Sequence, residues 1–151
     1  MDDRKPLLCL DFDGVLHSYT TPWQGRAIIP DPPVPGALAW MLRAAYHWDI
    51  AVFSARSVPT TGRERSGVQA MRIWMQRWLF EEGHMDRHQA HSFVQTRLQW
   101  PVHKPSADLI IDDRALRFEG DWGAFDPQEL LKLQPWNHHL RHPPADEGSG
   151  S

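Results

Sequence analysis

Three short apolar runs, each ending abruptly in an oxygen-bearing side chain, narrow the folds open to this chain more than anything else in it. They are Leu7-Leu8-Cys9-Leu10 into Asp11, Ile50-Ala51-Val52-Phe53 into Ser54, and Leu109-Ile110-Ile111 into Asp112. Continuous apolar runs of this length read as strands buried on both faces, the pattern of a parallel sheet. Helix-like stretches lie between them, over 35 to about 47 and roughly 67 to 82. The second places Val68, Met71, Trp74, Met75, Trp78 and Leu79 near one face. Strand, helix, strand order with such crossovers predicts an α/β fold, a three-layer sandwich around a parallel, Rossmann-like central sheet. Residues 93–98, where Val94, Thr96 and Leu98 alternate, are expected to add a further strand.

A chain of 151 residues suits one domain with a real core. We expect that domain over 1–142, with 143–151 as a disordered tail. The hydrophobic fraction of 41% and charged fraction of 23% describe a soluble globular protein. A formal net charge of −3 gives no general attraction to a nucleic-acid backbone, so any such contact requires a local basic patch. The lone Cys9 cannot form an internal disulfide and is expected to be a buried thiol. With no signal-peptide pattern and no apolar run of about 18 residues, a cytoplasmic location without membrane contact is expected. No obligate protein partner is evident. The eight tryptophans are expected to fill the core or cover its edges. A Pro-, Thr- and Gly-containing connection over 17–33 is long for a compact domain and is expected to overhang the functional site.

In an open α/β sheet, ligands bind outside the carboxyl ends of the strands. That rule gathers Asp11, Asp13, Ser54, Asp112 and Asp113 along one edge, with Lys104 shortly before the last strand. Crowded carboxylates repel, and a hard divalent cation such as Mg²⁺ resolves the conflict while leaving room for a substrate phosphate. Ser54 and Lys104 would then bind the remaining phosphoryl oxygens. The glycine of Asp13-Gly14 permits a tight turn at which backbone N–H groups can approach an anion. Asp11 is then the nucleophile that attacks phosphorus, and Asp13 protonates the leaving oxygen before activating water to release the phosphate.

The same residues carry a family resemblance. Leu10-Asp11-Phe12-Asp13-Gly14-Val15-Leu16 resembles the first motif of the haloacid dehalogenase superfamily. Phe53-Ser54-Ala55-Arg56 resembles the second, His103-Lys104-Pro105 the third, and Ile110-Ile111-Asp112-Asp113-Arg114 the fourth, all in the family's order. The resemblance implies a Mg²⁺-dependent phosphatase that forms an aspartyl-phosphate on Asp11. It makes Asp13 the general acid/base and a metal ligand through its carbonyl, and Ser54 and Lys104 phosphate binders. It gives the acidic pair Asp112-Asp113 to the metal, with Asp113 favoured for the direct bond. Asp-Gly-Val-Leu and Ile-Asp-Asp-Arg are similar in wording to deoxyribonucleotidases, which suggests nucleotides or polynucleotide ends as substrates. Only 37 residues separate Leu16 from Ser54, and they must supply a loop, a helix and a strand, so a capless member with an open site is expected.

Each residue has a blander reading. Ser54 alone is a turn or helix N-cap residue, Lys104 a solvated charge, His17 a structural hydrogen-bonding group, and Trp74 with Trp78 part of the core. His84, His88 and His91 share helical spacing but lack a zinc pattern, and His138, His139 and His142 read as a solvated tail. Arg56, Arg63 and Arg65 follow the second motif and are either substrate contacts or a solvated loop. Competing functions are a phosphotransferase, which the same residues support, and a non-catalytic phospho-receiver-like signalling domain. Receivers place an adjacent acidic pair first and lysine last, the reverse of the order seen here.

Overall fold

The computed structural model describes residues 3–62 and 65–145. Its centre is a four-stranded, all-parallel sheet: β1 (Leu7–Leu10), β2 (Asp49–Val52), β3 (Leu98–Gln99) and β4 (Leu109–Ile111), in spatial order β3-β2-β1-β4. The three apolar runs form β1, β2 and β4 within one residue of their expected positions. Leu8, Cys9 and Leu10 of β1 and Ile50, Ala51 and Val52 of β2 are buried. Cys9 is a free, buried thiol.

Register decides what this sheet offers at its edge. Leu10 lies opposite both Val52 and Ile111, so β1, β2 and β4 end level. The pairing runs one step further, with the Asp11 N–H donating to the Ile111 carbonyl (2.9 Å) and the Phe53 N–H to the Leu10 carbonyl (3.1 Å). The polar residues that follow the three runs therefore leave the sheet side by side.

Among the described residues five α-helices accompany the strands: α1 (Ala37–Ala44), α2 (Gly67–Glu81), α3 (Arg87–Thr96), α4 (Pro127–Leu130) and α5 (His138–Arg141). Helix α2 starts where the Ser66 hydroxyl accepts the Gln69 N–H (3.2 Å). It buries Met71, Trp74, Met75 and Leu79, with Val68 and Trp78 packed beside them. Its first residue, Gly67, abuts the Arg56 carbonyl so closely that a Cβ there would overlap it. Helix α3 corrects the strand expected over 93–98. Asp86 and Gln89 form a reciprocal capping box that starts a helix, and Ala90 and Val94, one turn apart, bury the same face. The alternation of Val94, Thr96 and Leu98 spans too few residues to compete, and pairing begins only at Leu98.

Strand β4 departs from the expectation of burial on both faces. Leu109 is 50% and Ile110 41% exposed, because β4 is an edge strand and most of the segment that follows it, 112–135, is itself exposed. The tryptophans also divide. Trp74 is buried, Trp48, Trp78 and Trp100 pack against the core, and Trp23, Trp40, Trp122 and Trp136 remain exposed. No helix among the described residues is long and apolar enough to cross a membrane.

Candidate functional site

At the carboxyl edge a cavity of about 360 Å³ is lined by Asp11, Asp13, Ser54 and Asp112, joined by Tyr19, Trp23 and Arg114. A larger cavity of about 590 Å³, which includes Asp113, shares Arg114 with it but is walled mainly by apolar side chains such as Leu116, Leu130 and Leu133. The chemistry-bearing groups converge on the smaller one.

Three carboxylates crowd together beside it. Oxygen atoms of Asp11, Asp112 and Asp113 lie within 4.8 Å of one another, the group among the described residues that could hold a metal ion. Both carboxylate oxygens of Asp113 are buried and have no hydrogen-bond donor. A bond between Asp113 and its neighbour Asp11 exists only while one of the two carries a proton. Burial, together with the charges of Asp112 and Asp113, pushes the Asp11 carboxyl up to about 8, against the Phe12 N–H that donates to its Oδ1 (2.8 Å). Asp112 is exposed, and its Oδ1 accepts the Arg114 N–H (2.8 Å). Gly14, at φ +82°, lets the chain after Asp13 pass against Asp113, where a Cβ would overlap Oδ2. Buried, donorless carboxylate oxygens close to two further carboxylates suit a hard cation that takes oxygen ligands.

The Asp13 carboxylate belongs to a different network. Arg56 Nε donates to both of its oxygens (3.1 and 2.9 Å), and His17 Nδ1 lies 2.8 Å from Oδ1. The Asp31 N–H donates to His17 Nε2 (3.1 Å), which makes Nε2 the acceptor and leaves the proton on Nδ1, aimed at Asp13. Burial pushes the Asp13 carboxyl up, but the bonds from His17 and Arg56 and the guanidinium charge outweigh it and hold the group below its ordinary value. Asp13 is thus kept ionised, its carboxylate engaged by Arg56 and His17 while it still lines the cavity. His17 is fully buried, in keeping with a structural role.

Arg56 is only 1% exposed. Besides Asp13, its Nη1 donates to the carbonyls of Gly25, Arg26 and Ile28, which ties down the 17–33 connection instead of reaching outward. The same connection is held by Asp31, which accepts the Thr20 and Thr21 N–H groups and the Thr21 hydroxyl. Ser54 acts as a cap, its Oγ accepting the Arg56 N–H (2.9 Å), yet it still lines the cavity; its own proton faces only the Met71 thioether at 3.8 Å.

Not every expected residue gathers here. Lys104 is exposed, does not line the cavity and makes no hydrogen bond or ion pair with a described residue; Arg114 is the cation that does line it. Arg65 borders a separate cavity with Gln69, Ile73 and Arg77, and Arg63 lies outside the described residues. Tyr19 and Trp23 were not singled out by the motifs. Neither were the C-terminal residues that clasp the loop after β1. Trp136 Nε1 donates to the Gly14 carbonyl (2.7 Å), Asn137 Nδ2 to the Ser18 and Tyr19 carbonyls, and Arg141 stacks on Tyr19. No local pattern marks them, since their partners lie more than 100 residues away. No family model, curated protein or solved structure matches the chain.

Proposed function

We propose that this chain is a small Mg²⁺-dependent phosphomonoester hydrolase of the haloacid dehalogenase type, working through an aspartyl-phosphate on Asp11. The observation that carries the reading is the trio of Asp11, Asp112 and Asp113 within 4.8 Å, with both Asp113 oxygens buried and donorless behind a cavity that Asp11 and Asp112 line. A divalent cation held by these carboxylates supplies the positive charge that lets all three ionise together and that offsets charge on a phosphoryl group. Asp11 is the nucleophile. Ser54 offers a hydroxyl donor, and Arg114, which lines the cavity as Lys104 does not, is the phosphate-binding cation. Asp13, held ionised by Arg56 and His17, suits the second half-reaction, in which it takes a proton from the attacking water. Protonating the leaving oxygen in the first half is the harder task for so well-paired a carboxylate.

The reading carries with it a three-layer sandwich and no large cap, so the walls of the site come from the 17–33 connection and the segment after β4. The substrate is then a phosphomonoester able to enter an open cavity, with nucleotides and polynucleotide ends included. The phosphotransferase alternative differs only in the final acceptor, and added alcohols in a product assay separate it. Phosphate release from a panel of monoesters with Mg²⁺ is the direct test. Asp11→Asn should lower turnover by at least roughly a thousandfold with the fold retained. Near-normal turnover in folded Asp11→Asn protein would remove Asp11 as nucleophile.

A further inference from the structure

Two aromatic rings line the cavity of the proposed nucleophile, and each has a guanidinium against its face. Trp23 is 48% exposed and lines the cavity, and the Arg56 guanidinium sits 4.4 Å from its ring centroid. Tyr19 lines the same cavity, with the Arg141 guanidinium 4.1 Å from its ring. Tyr19 is also the non-glycine residue at positive φ (52°) among those described, a left-handed conformation that must be sustained by its surroundings. Its carbonyl is held by Asn137 and Arg141, and the residues beside it by Asp31. This aromatic wall is therefore built by long-range contacts, not left by a loose loop. An exposed tryptophan face fixed at the mouth of a cavity contributes nothing to the core and is suited to receive a ligand ring.

Resting on the hydrolase reading above, we infer that Trp23, with Tyr19 beside it, makes the site selective for phosphomonoesters whose leaving group carries a planar ring, a nucleobase or an aryl group. Phosphate at Asp11 and Ser54 leaves the rest of the ester against this wall. A cation on the rear face of Trp23 draws π density away from the front face. That weakens its attraction for the C–H groups of a sugar and eases the approach of another π face. Arg114, whose side chain makes no hydrogen bond or ion pair with a described residue, supplies a planar guanidinium at the same cavity that can stack on the ring or bind a second anionic group.

The test compares nucleoside monophosphates, phosphotyrosine, a hexose phosphate and glycerol phosphate as substrates of the Mg²⁺-loaded protein and of its Trp23→Ala and Trp23→Phe variants. Wild type should favour the ring-bearing esters over glycerol phosphate in kcat/KM. Trp23→Ala should reduce that ratio roughly 5- to 100-fold, the range that losing one stacked ring brings, and Trp23→Phe should recover most of it. The nucleotide and phosphotyrosine arms tell which ring is preferred. A ratio unchanged by Trp23→Ala, or a wild-type preference for the hexose phosphate, overturns the inference while the hydrolase reading stands. If wild type releases phosphate from no ester, the hydrolase reading fails. Equilibrium dialysis of nucleoside monophosphates and phosphotyrosine against glycerol phosphate then decides the inference alone, with selective weakening of the ring compounds in Trp23→Ala required.

Discussion

Binding of Mg²⁺ to this protein should release a proton and strengthen as pH rises. Oxygens of Asp11, Asp112 and Asp113 lie within 4.8 Å of one another. Two full charges at about that separation repel by roughly 3–4 kcal/mol at an effective dielectric near 20. In the metal-free protein that repulsion, added to burial, keeps Asp11 protonated up to about pH 8. A cation must displace this proton, so its affinity should rise roughly tenfold per pH unit between about pH 6 and 7.5 and level off above about 8. Calorimetric titration in buffers of different ionisation enthalpy, at about pH 7, should count close to one proton released per ion. Stability follows the same group. Its folded-state pKa lies above its ordinary value of 3.8, so the folded state binds the proton more tightly. The stability contributed by protonated Asp11 is complete below about pH 4 and lost as pH rises through about 8. The melting temperature of metal-free protein should therefore fall across that window, and Mg²⁺ should reverse the fall. Asp11→Asn should flatten both dependences. A Mg²⁺ affinity independent of pH from 6 to 8, with no proton released, would refute the argument that the three carboxylates share one ion.

Three further outcomes follow from the same geometry. Asp113→Asn should weaken Mg²⁺ binding more than Asp112→Asn, because the oxygens of Asp113 are buried without donors while Asp112 already accepts a backbone N–H; the reverse ranking in a metal titration would exchange their roles. Gly14→Ala places a methyl group against Asp113 Oδ2 at φ +82° and should cost about 1–2 kcal/mol of stability along with at least roughly tenfold in Mg²⁺ affinity. Unchanged metal affinity in that variant would show that the close approach does not position Asp113. Arg56→Lys keeps the charge but loses the forked bonds to Asp13 and the reach to three loop carbonyls, so urea unfolding should register a loss of at least about 2 kcal/mol. A loss below about 0.5 kcal/mol would mean that Arg56 does not hold the loop.

Strands β1 and β2 could be read directly from the amino-acid sequence, because burial on both faces demands an unbroken apolar run and the end of that run marks the sheet edge. Helices α1 and α2 were legible from their periodicity, and the acidic and hydroxyl residues at the strand ends announced where chemistry would gather. Helix α3 runs into the strand expected over 93–98 because the decisive local signal is the capping box at Asp86 and Gln89, not the alternation that follows. Partner choice lay beyond any local pattern. Asp13 sits at the same edge as the other carboxylates, yet Arg56, 43 residues away, binds its carboxylate, which leaves Asp11, Asp112 and Asp113 as the trio of side chains that could hold a metal. The exposure of Leu109 and Ile110 depended on β4 falling at an edge, which only strand order decides. Tyr19 and Trp23 enter the cavity because Asn137 and Arg141, more than 100 residues away, and Arg56 hold their connection in place. Periodicity and capping act over a few residues and are written into neighbouring side chains; the pairing of charges and the walls of a cavity arise only when the register of a sheet brings distant segments to the same place.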